Sequence, residues 1–261
     1  MCWSDHVLAG SSEKLEVRRL MALAKRLPIG GRVLRWSGPA AEGDRFIGSG
    51  DYWESRYAKG GTSGAGSYGT FANFKAAVLS AFVDRNHVTT VTELGCGDGS
   101  QLSLMRYPSY TGLDVSETIV RKCGERFRQD TTKRFFVYRA DAFNRLLPEV
   151  RADLAVSLDV VYHLVEDEVF ETYMCDLFLA ARRYVAVYST DADSTSTYDA
   201  PHVRHRCFTA WIAANRREWR ILGRIESPLP LDAFGSAGLR PDFYFFEREC
   251  PLPPAGGSTG T

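Results

Sequence analysis

Val91-Thr92-Glu93-Leu94-Gly95-Cys96-Gly97-Asp98-Gly99-Ser100 decides the fold of this chain. A short β-type run ends in an acidic residue and enters a glycine-rich turn before a helical stretch. Glycine carries no Cβ, so such a turn can take positive φ and let a ligand approach its backbone. The pattern G-x-G-x-G differs from the dinucleotide fingerprint G-x-G-x-x-G, because Ser100 stands where the third glycine would be.

Three further signals lie downstream of it. Asp114 closes Tyr110-Thr111-Gly112-Leu113-Asp114 about twenty residues beyond the turn, where an acid is placed to accept hydrogen bonds from ribose hydroxyls. A third run, Phe135-Phe136-Val137-Tyr138, leads into Arg139-Ala140-Asp141-Ala142-Phe143. A fourth, Asp153-Leu154-Ala155-Val156-Ser157-Leu158-Asp159, continues into Val160-Val161-Tyr162-His163-Leu164. Each strand thus ends in polar residues. In a parallel α/β sheet such carboxyl ends share one crevice, where ligands bind.

This succession resembles the class I S-adenosylmethionine-dependent methyltransferases, over roughly Ser49 to Phe246. The resemblance implies a Rossmann-like α/β fold: a seven-stranded, mostly parallel sheet with the last strand antiparallel and helices on both faces. It implies S-adenosylmethionine as cofactor and S-adenosylhomocysteine as its product. By position, Glu93 and the turn Gly95, Cys96, Gly97, Asp98 and Gly99 match the motif that cradles the methionine part. Asp114, with Val115 beside it, matches the ribose acid, and Asp141 with Ala142 the pair that contacts adenine. Ser157, Leu158 and Asp159 match the fourth motif, at the floor of the acceptor site. Tyr52-Trp53-Glu54-Ser55-Arg56-Tyr57 and the glycine- and serine-rich stretch Gly60 to Gly69 resemble the segment preceding the first motif in a bacterial branch. Tyr52 and Tyr57 would close over the cofactor, with Gly64 to Ser67 as a flap. The alternative is a doubly wound domain that uses these glycines for another nucleotide; the missing third glycine and the extra acid Asp141 count against it.

The remaining pattern fits around this frame. Ser12 to Leu27 has helical spacing with Ser12 as cap, so residues 1–48 are expected to form an N-terminal helical cap and connector. Residues 49–250 then form the catalytic domain, and the Pro/Gly/Ser-rich residues 251–261 a disordered tail. Phe71 to Val83 has an apolar helical stripe. Glu166 to Arg182 is a helix expected to bury Val169, Tyr173, Leu177 and Leu179. Tyr184 to Tyr188 is a fifth strand, Ser189 to Arg206 a polar loop, and Phe208 to Arg216 a helix. Trp219 to Ile225 and Asp242 to Glu247 make an antiparallel pair.

Composition narrows the function further. The chain has 261 residues, 44% of them hydrophobic, with Lys+Arg and Asp+Glu both at 32 and zero formal charge. Such a balance does not call for a polyanion partner, so no nucleic acid is expected. Ser157-Leu158-Asp159-Val160 is also not the Asn/Asp-Pro-Pro-aromatic motif of amino-methylating nucleic-acid enzymes. No run approaches the ~20 apolar residues of a membrane span, and no secretory leader is read at the start. The six cysteines show no C-x-x-C spacing, so neither a metal site nor a disulfide framework is expected. A cytoplasmic protein acting on a small molecule is the resulting expectation.

Methyl transfer from a sulfonium needs mainly alignment of the nucleophile, and a hydroxyl acceptor also needs a base. His163, just past the fourth strand, is the first candidate base, with Asp159 as an alternative and Tyr162 as a pocket residue. The second candidate cluster is His202-Val203-Arg204-His205-Arg206. There His202 or His205 can take a proton, while Arg204 and Arg206 can clamp an anionic acceptor. The opposing reading is a loop salt-bridged to Asp191, Asp193 and Asp199. O-methylation of a polar, sugar-like or anionic small molecule is the expected activity. N-methylation of a peptide or small amine, and cofactor binding without transfer, are the alternatives.

Overall fold

Five consecutive strands are parallel because the connections between them cross over and return the chain to the same end of the sheet. They are β1 (Thr90–Leu94), β2 (Ser109–Asp114), β3 (Lys133–Val137), β4 (Ala152–Leu158) and β5 (Ala181–Ser189). The last two, β6 (Trp219–Ile225) and β7 (Asp242–Arg248), complete a seven-stranded sheet of order β3-β2-β1-β4-β5-β7-β6. β7 runs antiparallel between β5 and β6, as the sequence predicts. The computed structural model describes residues 46–194, 200–228 and 239–250. The expected Ser12 to Leu27 helix and the expected tail 251–261 lie outside the described residues.

The helices are α1 (Ser49–Ala58), α2 (Gly69–Arg85), α3 (Glu117–Arg126), α4 (Phe143–Val150), α5 (Asp167–Leu179) and α6 (Phe208–Asn215). Their placement follows from alternation along the strands. Leu154, Val156, Tyr184, Ala186, Phe243 and Phe245 turn to one face and pack against Phe74, Val78, Leu79 and Phe82 of α2. Ala155, Val185, Val187, Tyr244 and Phe246 turn to the other and meet Phe170, Tyr173, Met174, Leu177 and Phe178 of α5. Both faces are therefore covered, which is why the inner strands read as nearly continuous apolar runs.

Two expectations need correction. Val169 and Leu179 of α5 are exposed. The buried stripe runs through Phe170, Tyr173, Met174, Leu177 and Phe178, the i, i+3, i+4 face, and residues 169 and 179 fall off it. Strands β2 to β5 also begin one to three residues earlier than their apolar runs, because Ser109, Lys133, Ala152 and Ala181 already pair with neighbours. No helix among the described residues is long and apolar enough to cross a membrane.

Leu154 sits fully buried in β4 between β1 and β5. Leu154→Ala is expected to lower the unfolding free energy by about 2–5 kcal/mol in chemical denaturation, whereas a loss below about 1 kcal/mol would contradict this packing.

Candidate functional site

The carboxyl ends of β1, β2 and β4 open into one cavity, with about 870 Å³ of space between its walls, part of it continuous with solvent. Its lip is the glycine turn. The amides of Gly95 and Cys96 both donate to the Leu113 carbonyl, at 2.7 and 3.0 Å, which folds the end of β1 onto the end of β2. Gly95, Gly97 and Gly99 all have positive φ, at 82°, 57° and 73°. A Cβ on Gly95 would lie 2.5 Å from Val160 Cγ2, and one on Gly97 would collide with the Ser63 hydroxyl. One on Gly99 would meet the Phe127 ring at 2.7 Å, so that glycine serves packing.

The cavity wall includes Tyr57, Glu93, Gly95, Cys96, Gly97, Asp114, Val115, Leu158, Asp159 and His163, ten of the residues singled out by sequence. Asp114 accepts from the Gly97 amide and the Ser116 amide, both at 3.0 Å. Burial pushes its carboxyl up to about 6 despite those bonds. Burial likewise pushes Glu93 up to about 7, although Tyr110 donates to it at 2.7 Å. Two buried acids thus face the cavity close to neutral pH. A cationic, hydroxyl-bearing ligand would restore their charged form and take up their acceptor capacity.

Asp98 lies outside the wall and acts as a clasp. Its Oδ2 accepts from the Ser63 amide at 2.9 Å and the Tyr68 hydroxyl at 2.5 Å, and its own amide donates to Ser63 Oγ at 2.8 Å. The Tyr57 hydroxyl adds a 3.0 Å bond to the same Ser63. The segment predicted as a flap, including the short 3-10 turn Ala65–Ser67, is thereby held down on the glycine turn. Ser63 and Ser67 join the cavity wall.

The part of the cavity expected to take the acceptor is lined by Asp159, His163 and Lys75. Asp159 Oδ1 accepts from the Tyr162 hydroxyl at 2.8 Å, and Oδ2 pairs with Lys75 Nζ at 2.5 Å. His163 is buried, 3.0 Å through Nδ1 from the His202 carbonyl, with its ring edge-on to Trp53 at 5.0 Å. Burial pushes its pKa down to about 3, and that of His202 to about 4.

Other predicted residues take different places. Tyr52 stacks on His202 with ring centroids 4.2 Å apart, and its hydroxyl lies 3.3 Å from His202 Nε2. That pair joins α1 to the loop after β5 instead of lining the cavity. His205 Nδ1 bonds the Thr190 hydroxyl at 2.7 Å. Ser157 is buried below the wall, accepting from Tyr173. Asp141 is exposed and Ala142 half-buried on the short turn after β3, beyond the cavity wall. Tyr162 touches the cavity only through Asp159.

Arg204 and Arg206 turn away from the acceptor end. Both guanidiniums reach Asp167 at 3.0 Å and donate to the Val165 carbonyl, and Arg206 also donates to that of Leu164. They anchor the β4–α5 connection, so their fork geometry is spent on the protein itself. Two of the acids expected to pair with them do other work: Asp191 caps α6 through Thr209, and Asp193 accepts from the Cys207 amide, while the third, Asp199, lies outside the described residues.

Lys75, Gln101, Tyr138 and Tyr173 line the cavity without having been singled out. For Lys75 a signal existed. It falls on the Phe71, Val78, Phe82 stripe of α2 by helical spacing, a charge on an otherwise apolar face. Among the described residues no cluster of His, Cys, Asp and Glu is placed to hold a metal ion.

Residues 91–183 match a family model described as a methyltransferase domain. No curated protein sequence matches the chain. Among solved structures, the methyltransferase domain of bacterial CtHen1 is similar at 18% identity and TM-score 0.52, over 67% of this chain and 96% of that one. The magnesium protoporphyrin IX methyltransferase from Synechocystis, solved with bound S-adenosylmethionine, is similar at 15% identity and TM-score 0.51, over 76% and 94%. The N-methyltransferase NodS from Bradyrhizobium japonicum, solved with S-adenosylhomocysteine, gives 15% and 0.51, over 67% and 85%. At these identities the structural likeness is one of fold.

The raised carboxyls set a pH dependence for cofactor binding. Both ionise as pH rises through about 6 and about 7, and only the charged form attracts a cation. S-adenosylmethionine affinity is expected to rise from about pH 5 to about pH 8, and less so for S-adenosylhomocysteine, which lacks the sulfonium charge. Calorimetric titration of both ligands across that range checks this; parallel, flat profiles would refute it. Gly95→Ala is expected to abolish binding of both ligands in folded protein, because it adds backbone strain to the collision with Val160.

Proposed function

We propose that the chain is a class I S-adenosylmethionine-dependent methyltransferase that methylates an oxygen of a polar small molecule. S-adenosylmethionine supplies a methyl group on a cationic sulfur. Glu93, the Gly95 to Gly97 turn, Asp114 and Val115 would hold it, since they form the cavity wall beside the turn. The protein has then to align the acceptor and receive its proton.

One observation carries the oxygen reading: the bonding of His163. A carbonyl can only accept, so the 3.0 Å contact with the His202 carbonyl places the ring proton on Nδ1. Nε2 therefore keeps its lone pair, on a ring that lines the cavity. Burial keeps the imidazole neutral at physiological pH. A base this weak still suffices here, because a hydroxyl becomes strongly acidic as its oxygen gains the methyl group. An amine nucleophile has no such need, as its own lone pair attacks and its product can remain an ammonium.

The similar structures include enzymes described as N-methyltransferase and carbon methyltransferase, so the fold does not choose the acceptor atom. The His163 arrangement supports oxygen. Equal numbers of acidic and basic residues support a small acceptor over a polyanion. The free thiols of Cys96 and Cys123, buried against the turn, suit a cytoplasmic setting.

With a hydroxyl acceptor found by screening, His163→Gln is expected to lower kcat by about 10²- to 10⁴-fold while leaving S-adenosylhomocysteine affinity unchanged. The wild-type rate should show no rising limb from this histidine between about pH 5 and about pH 8, because it is already neutral there. Unchanged kcat in the variant, or N-methyl products alone from a mixed acceptor panel, would overturn the oxygen reading.

A further inference from the structure

Among the described residues, Lys75 is the one lysine or arginine of the cavity wall. Its side chain is 1% exposed, inside α2, and Nζ stands 5.4 Å from the centre of the Tyr188 ring. Among the described residues its one hydrogen bond goes to Asp159 Oδ2 at 2.5 Å. An ammonium has three N–H donors, so two remain for whatever enters the cavity. Burying a lysine is costly unless its charge is answered, and a partner on one side answers it only in part.

The Asp159 side of the pair is rigid. Asp159 is a non-glycine residue at φ 58°, a left-handed conformation that such residues rarely adopt. It is held there by the hydrogen bond its backbone N–H donates to the Tyr188 carbonyl at 3.0 Å and by the Tyr162 hydroxyl, which donates to Oδ1. Gly66 of the held-down segment packs on Oδ2, where a Cβ would lie 2.7 Å away. A strained backbone, a tyrosine and a closed segment therefore fix the carboxylate, and the carboxylate fixes the ammonium. With both oxygens accepting hydrogen bonds, Asp159 is held so that it aims Lys75.

We propose that Lys75 is the specificity-determining residue of the acceptor site: its ammonium binds the carboxylate of the acceptor, so that the substrate class is a hydroxy acid. The carboxylate seats on Lys75, and the hydroxyl is presented beside His163, which lines the same cavity. This rests on the oxygen reading above and narrows it. The remaining acids of the wall, Glu93 and Asp114, are those proposed above to hold the cofactor. The acceptor anion is thus recognised from α2, and not from the arginines at 204 and 206.

The test uses formate, the smallest carboxylate, with methylammonium as cationic control. Both are titrated into protein saturated with S-adenosylhomocysteine and labelled with ¹³C at the lysine ε-carbons. The Lys75 signal, assigned by its loss in Lys75→Met, is expected to shift saturably with formate and to ignore methylammonium. Lys75→Met strands Asp159, so the double variant Lys75→Met with Asp159→Asn removes both charges together. In that variant, once shown to bind S-adenosylhomocysteine normally, formate affinity should fall at least about tenfold. An unmoved Lys75 signal, an equal response to methylammonium, or unchanged formate affinity in the double variant would overturn the proposal. No methyl group moves in this experiment, so its failure is separate from a failure of the oxygen reading, which appears in the His163→Gln kinetics.

Discussion

Everything at this site depends on one carbonyl oxygen. The Leu113 carbonyl accepts from both Gly95 and Cys96, and so bends the chain back at the end of β1 over the end of β2. That bend requires positive φ at alternate positions, which only glycine meets cheaply. It also brings three different elements against the bare Cα atoms: Val160 beyond β4, Ser63 of the held-down segment, and Phe127 at the end of α3. The turn is therefore the point at which the sheet, the segment over the cavity and the following helix are brought into register.

The electrostatics of the cavity follow from where the turn places carboxylates. Glu93 and Asp114 lie at the ends of adjacent strands and are themselves buried, which raises both toward neutral pH. Asp159 ends the neighbouring strand but lies beside a buried lysine and a tyrosine hydroxyl. Three acids at equivalent strand ends thus have unlike surroundings. The first two would suit a cationic, hydroxyl-bearing cofactor, and the third has its charge answered by Lys75.

Most of the fold was legible in the sequence, because strand pattern and strand-end chemistry are local. The runs through Leu94, Asp114, Val137 and Leu158 mark strands by composition, and their polar ends mark the crevice. Errors arose where a local pattern did not define the buried side. Val169 and Leu179 are apolar yet lie off the stripe of α5 that meets the sheet. The pair Arg204 and Arg206 looked like a clamp for an anion, but the fold turns both toward Asp167 and the carbonyls at 164 and 165.

By itself the sequence determined the order of the elements, the position of the glycine turn and which acids stand at strand ends. These depend on φ preferences, alternation and spacing within a few residues. Only the tertiary structure decided which donors face the cavity. Lys75 reaches Asp159 across 84 positions of chain, Ser49 reaches Glu166 across 117, and Tyr52 meets His202 across 150. A charged side chain bonds whichever partner packing brings within about 3 Å. No spacing in the sequence encodes that partner, so the roles of the lysine, the histidines and the two arginines emerged only from the folded chain.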